Sequence, residues 1–193
     1  MTQSSLAERI PEVEPMLAHQ PAAGSPGSPL ASADAFRDAM RRLSTGVTII
    51  ASENQGMRAG LTATAVCSLA ATPPSLLVCV NRTVYAHSII VASRVLSVNV
   101  LAAEQEDIAK RFAGMLPAVE GNDRFAGSPW QVIASGAPVL VGALANFDCR
   151  VTEVVDWATH SIFLCEVLAA RSSDGSEALV YLNGRFNTLT TEH

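Results

Sequence analysis

The chain has 193 residues, 49% of them hydrophobic and 16% charged, a balance that supplies one sizeable core and excludes a disordered or fibrous chain. Its net charge of −5 offers no basic surface to a phosphate backbone, so nucleic acid is not an expected partner. The longest apolar runs, such as Ser75 to Val80 and Val95 to Leu101, have strand length and fall well short of the roughly 20 residues of a membrane-spanning helix, so no membrane role is expected either.

Residues 1–31 hold Pro11, Pro15, Pro21, Pro26 and Pro29 with Gly24, Gly27 and several serines. That composition buries too little apolar surface to offset chain entropy, so the segment reads as a flexible tail ahead of one folded domain over 32–193. Ser32 is a suitable N-cap and Asp34 an acid for a first turn; Phe36, Met40 and Leu43 then fall on one face of a short amphipathic helix. "GVTIIAS" (46–52) is β-branched and strand-like, "ENQG" is a turn, and "MRAGLT" returns as the second arm of a hairpin.

After Pro73-Pro74 a strand is expected over 75–80, then a short helix in "AHSIIVAS", a strand in "VLSVNVL" and a helix in "AEQEDIAKRFAG", which carries acids early, Lys110 and Arg111 late, and Gly114 at its end. Residues 115–137 read as a long surface excursion, and excursions of that length usually have a use. "ALANFDCRVTEVVD" and "HSIFLCEVLAA" form the strongest hairpin, joined near Trp157-Ala158-Thr159, and "ALVYLNGRF" adds a last strand with an Asn-Gly turn. Many strands, few helices and no strand-helix-strand alternation point to a mainly β, antiparallel barrel.

Cys67, Cys79, Cys149 and Cys165 form no C-x-x-C pair, and three of them lie inside apolar strand-like runs, which suits a reducing compartment. With no basic n-region before an apolar core, no secretory signal is expected and the cytoplasm is the default location. The glycines make neither a dinucleotide-binding G-x-G-x-x-G nor a P-loop, and there is no H-E-x-x-H or G-x-S-x-G. His19, His87, His160 and His193 have no partners at metal-ligand spacing, so no metal site is expected.

The stretch "GLTATAVCSLAATPPSLLVCVN" (60–81) has small side chains at Thr62, Ala63, Thr64 and Ala65 and continues through Val66, Cys67 and Ser68. Bare extended backbone can approach a flat ligand and present alternating N–H and C=O groups to its edge, as the pyrimidine side of a flavin requires. Amides aimed there would also stabilise charge arriving with hydride. The same stretch suits a small-residue strand packed closely on a neighbour.

The segments "FRDAMRRLSTGVTII", "GLTATAVCSLAATPPSLLVCVN", "SVNVLAAEQEDIAKRFAG", "GNDRFAG", "PVLVGALANFDCRV", "THSIFLCEV" and "YLNGRF", in that order, resemble the flavin reductase-like family, the small NAD(P)H:flavin oxidoreductases of two-component monooxygenases. The resemblance covers residues from about 36 to about 189. It implies a split-barrel fold, a homodimer with FAD or FMN near the subunit interface, NADH or NADPH as hydride donor, and a separate flavin-dependent oxygenase, acting on an aromatic compound, that receives the reduced flavin.

The same resemblance implies that Thr62, Ala63, Thr64 and Ala65 face the ring, with Val66 beside them and Cys67 and Ser68 toward the ribityl chain. Asn81, Arg82 and Thr83 open the phosphate loop "NRTVYAHS", which departs from relatives at Val84 and Ala86, where Ser or Thr is common. Phe112 and Gly114 stand at the helix end beside the ring, and His160 matches the histidine near the nicotinamide. Tyr181, Arg185 and Phe186 match the C-terminal block. Two alternatives keep the fold: bound flavin that reduces another acceptor, and a flavin- or haem-binding protein without turnover.

Overall fold

The computed structural model describes residues 29–116, 119–174 and 177–190; the expected N-terminal tail, up to residue 28, lies outside them. In chain order the elements are α1 (Ala33–Met40), β1 (Thr45–Gly46), β2 (Thr48–Asn54), β3 (Met57–Ala63), β4 (Val66–Ala71), β5 (Pro74–Asn81), α2 (Tyr85–Ser93), β6 (Val95–Val100), α3 (Glu106–Phe112), β7 (Trp130–Gln131), β8 (Val139–Leu140), β9 (Ala145–Trp157), β10 (His160–Ser172), β11 (Glu177–Leu182) and β12 (Arg185–Thr190). Short 3-10 turns occupy Ala103–Gln105 and Gly121–Phe125. No helix among the described residues is long and apolar enough to cross a membrane.

All strand pairs are antiparallel. Seven strands form one sheet in the order β3-β2-β6-β9-β10-β5-β4. Laid flat, its outer strands would stand about 29 Å apart. Only Thr64 and Ala65 separate β3 from β4, however, and such a link spans at most about 10 Å. The sheet is therefore rolled, and its two outer strands approach each other at that corner.

Alternation then sorts the side chains. Ile50, Val78, Leu96, Val98, Val151 and Phe163 point into the roll, where α2 contributes Ile90. On the outside of β2, Ile49 and Ala51 pack with Phe112 of α3, Leu179 of β11 and Phe125.

The run expected as one strand from Gly46 to Ser52 divides at Val47. Its N–H donates to Leu179 O (2.9 Å) and its C=O accepts from Leu101 N (3.0 Å), so β1 joins β11 and β12 in a second sheet while β2 stays in the first. Both Asn183 (φ 53°) and Gly184 (φ 77°) adopt the left-handed conformation, and the chain does not stop at this turn: β12 returns along β11. Ser32 caps α1 as expected, its Oγ accepting from Ala35 N at 3.2 Å.

Candidate functional site

The ribbon of residues 62–68 is a corner. Thr48 Oγ1 donates to Ala63 O (2.7 Å) on one side of it, and Cys79 N donates to Ala65 O (3.0 Å) on the other. Thr62 Oγ1 donates to Ala109 O at 2.6 Å, which ties the corner to α3. Ala63 is buried in the roll, whereas Thr64, Ala65, Cys67 and Ser68 are exposed.

Strand register decides which side chains share a face. Val66, Val78 and Phe163 lie opposite one another across β4, β5 and β10, and all point inward. The Val66 side chain is thus directed into the core, away from Cys67. The alternate row points outward: His160 lies opposite Asn81, Ile162 opposite Cys79, and Leu164 opposite Leu77, which faces Cys67 on β4. The backbone bond from Cys79 extends this row to Ala65. Three separate stretches of chain therefore place Ala65, Cys67, Asn81 and His160 on one outer face.

At the end of that face the chain turns sharply. Asn81 Oδ1 accepts from the N–H and the hydroxyl of Thr83, each at 2.9 Å, which shapes the loop into α2. Arg82 leans onto the β9–β10 turn: its N–H donates to Thr159 O (3.0 Å), Nη2 donates to Ala158 O, and Nη1 stands 3.5 Å from Asp156 Oδ2. His160 is exposed, with Nδ1 2.9 Å from Thr159 Oγ1.

A groove of about 570 Å³ runs along the free edge of β3, between the start of α2 and the end of α3. Ala59, Gly60 and Thr62 form its floor, Tyr85 and Ala86 one wall, and Ala113 with Arg124 the other. Val84, one of the positions that departs from the family pattern, is the N-cap of α2 and gives no side-chain hydrogen bond. The first N–H groups of that helix lack a side-chain cap, and the buried Nε of Arg124 has no partner among the described residues. Donors left free at one end and a bare strand edge along the floor fit a flat ring that carries an anionic chain.

A smaller cavity of about 220 Å³ adjoins the corner and brings Thr62, Ala63 and Thr64 together with Ala113, Tyr181 and Phe186. Tyr181 and Phe186 meet edge to face with centroids 5.3 Å apart. Gly114, at φ 72°, ends α3 beside this cavity, and Arg185 stands exposed at the start of β12.

Phe112 is 1% exposed, enclosed by Phe125, Trp130 and Gly60, and so anchors α3 to the core. Phe112 and Ala113 both line the larger groove, and Ala113 borders the smaller cavity as well. Gly60, Tyr85 and Arg124 were not among the expected site residues. A glycine inside a strand signals close approach, but Tyr85 and Arg124 belong to the site only because the fold brings a helix start and a surface excursion to one strand edge.

This architecture and the converging segments define a flavin-reductase type of protein. Residues 40–190 match the flavin reductase like domain, and the chain belongs to that family of oxidoreductases. FMN reductase (NADH) RutF 2 of Rhizobium rhizogenes is 44% identical over 154 residues, which make up 80% of this chain and 87% of that protein. Among solved structures, BorF, the flavin reductase component of a bacterial two-component tryptophan halogenase, is 31% identical with a TM-score of 0.76, covering 83% of this chain and 100% of the other. The NADH:FAD oxidoreductase SgcE6 of Streptomyces globisporus, in complex with NAD and FAD fragments, is 29% identical with a TM-score of 0.73, covering 83% of this chain and 96% of that one.

Proposed function

We propose that the protein is an NADH-dependent flavin reductase, with FMN as its preferred flavin, that hands reduced flavin to a separate flavin-dependent enzyme. The observation that carries this reading is the convergence of Ala65, Cys67, Asn81 and His160 on one outer face beside the corner at Thr64. NADH and FMN are favoured because the relatives named FMN reductase (NADH) are more similar in sequence than the FAD-linked structural neighbour. A bound flavin supplies a ring that takes up hydride from the reduced nicotinamide.

The chain's own residues would orient the two partners. The small side chains of the corner admit the ring, its amides present donors to the pyrimidine edge, and the uncapped start of α2 with Arg124 receives the phosphate. Cys67 follows on the outer face toward the ribityl chain, with Ser68 in the alternate row opposite Leu76, and Tyr181, Phe186 and the α3 end close the ring's other edge. His160 stands where a nicotinamide would approach. Arg82 and Thr83 shape the loop; Arg82, engaged with Asp156 and Ala158, contributes to orientation more than to phosphate charge.

A homodimer built on a closed split barrel completes the reading. α1 has no buried residue, and Phe36 on the helix and Leu43 just beyond its end, where the expected helical face stops short, are 61% and 55% exposed beside Thr64 and Tyr181. An apolar helix face next to the corner suits a second copy that covers both. The partner enzyme is a flavin-dependent oxygenase; its aromatic substrate rests only on the family likeness, and BorF, with a similar fold, serves a halogenase.

The test is steady-state NADH oxidation with FMN, FAD or riboflavin added. Flavin-dependent turnover with FMN strongest is expected, and no turnover with any of the three would remove the proposal.

A further inference from the structure

Three polar side chains, of which the proposed function uses only Asp156 and only through Arg82, form a chain between α2 and the β9–β10 turn. His87 Nε2 lies 2.8 Å from Ser161 Oγ, and Ser161 Oγ lies 2.5 Å from Asp156 Oδ1. A carboxylate only accepts, so the single hydroxyl proton of Ser161 goes to Asp156, and His87 donates through Nε2–H. The direction of every hydrogen bond follows from that count.

The surroundings make the chain more than incidental. Ser161 is fully buried, in the same inward row of β10 as Phe163 and Cys165, where an unpaired hydroxyl would be costly. His87 packs edge-on against Phe163 with centroids 5.5 Å apart, which sets the ring plane. The second oxygen of Asp156 faces Arg82, whose guanidinium and N–H hold Ala158 O and Thr159 O. Residues on both sides of His160 are thereby pinned, Thr159 by Arg82 and Ser161 by His87 and Asp156.

We infer that His87, Ser161 and Asp156 form a positioning relay that fixes the Arg82–His160 end of the site relative to α2, whose first turn lines the groove. The relay touches neither substrate nor cofactor; it rests on the reading that His160 meets the nicotinamide and acts by holding that residue's backbone and outward orientation. It also couples the two parts of the site mechanically, because Tyr85 and Ala86 in the groove and His87 in the relay are consecutive on one helix.

The experiment uses the full chain carrying Trp130→Phe, which leaves Trp157, the cross-strand partner of His160 and 70% exposed, as the sole fluorophore of its kind. Into this background go His87→Phe, which keeps the ring packing without the donor, His87→Gln, which restores an N–H donor, and Ser161→Ala. His87→Phe and Ser161→Ala are expected to raise KM for NADH about fivefold, the equivalent of one lost hydrogen bond, with FMN affinity within about twofold of the parent. Faster local anisotropy decay of Trp157 is expected in both, and His87→Gln recovers most of each effect.

In a His160→Ala background, His87→Phe adds no further rise in KM, because the relay acts through that residue. Unchanged Trp157 anisotropy in His87→Phe and Ser161→Ala would overturn the relay, as would a full KM effect of His87→Phe added to that of His160→Ala. If His160→Ala alone leaves KM for NADH unchanged while the anisotropy still responds, the relay stands and the assignment of His160 fails.

Discussion

Phe112 occupies space that exists only because residue 60 is glycine: a β-carbon at that position would lie 2.7 Å from Phe112 Cε1 and 2.9 Å from Ile50 O. The ring in turn meets Phe125 at 5.0 Å and Trp130 at 5.6 Å between centroids. One methyl group on β3 would displace the aromatic cluster that seats α3, and with it the helix end that borders the groove.

Gly60→Ala should therefore lower stability by about 1–3 kcal/mol through overpacking, read as a reduced midpoint in thermal or urea denaturation. Wild-type stability in this variant would show that the ring moves aside freely. Phe112→Ala, which empties the same site, should cost about 3–5 kcal/mol.

Thr64 stands exposed between the two outer strands, adjoining the smaller cavity. Thr64→Trp is expected to abolish FMN binding in a fluorescence titration while the far-ultraviolet circular dichroism stays that of the parent. Undiminished affinity would mean that the ring lies elsewhere.

The apolar face of α1 gives a test of assembly. Phe36→Asp combined with Leu43→Asp should convert the proposed dimer into a monomer in light scattering and weaken FMN binding with it, since Phe36, Leu43 and Thr64 border one shallow pocket. A variant that still runs as a dimer would move the interface to another surface.

The cysteines should differ in reactivity, because the thiolate is the nucleophile. Cys67 is exposed, whereas burial pushes the Cys165 thiol up to about 12 and raises Cys149 further. One fast thiol is expected with a disulfide reagent in the native protein, with Cys149 and Cys165 reacting only on unfolding. The unfolded chain loses these protons near 9.0 while the native fold retains them, so stability should be intact below pH 9 and fall as pH rises toward 12.

Local signals were readable in the sequence. Two long strand-like runs around Trp157-Ala158-Thr159 placed the β9–β10 hairpin, α1 carried Ser32 and Asp34, and the turn at Gln55-Gly56, with φ of 52° and 81°, had its glycine in view. What could not be read was where an extended run changes partner. Val47 is β-branched like Thr48, Ile49 and Ile50 after it, and the switch between sheets lies in the bonds it makes to Leu179 and Leu101. The corner at Thr64-Ala65 likewise has neither glycine nor proline to mark it. Of the expected site residues, Ala65, Cys67, Asn81 and His160 lie on one face by strand register, whereas Ala63 and Val66 point inward and Phe112 is buried while still lining the groove. His87, Arg124 and Tyr85 gain their surroundings from segments distant in sequence, so no local pattern could single them out.

The order of the large sheet bears on how the chain is made. β9, its middle strand, and its partner β10 emerge late in synthesis, after β2, β3 and β6 on one flank and β4 and β5 on the other. Until residue 172 leaves the ribosome, the nascent chain can hold only two strand fragments with unpaired margins, joined at the 64–65 corner. Such margins invite pairing between neighbouring nascent chains; a stop codon ahead of β9 should yield insoluble material, whereas truncation after β10 leaves the large sheet whole.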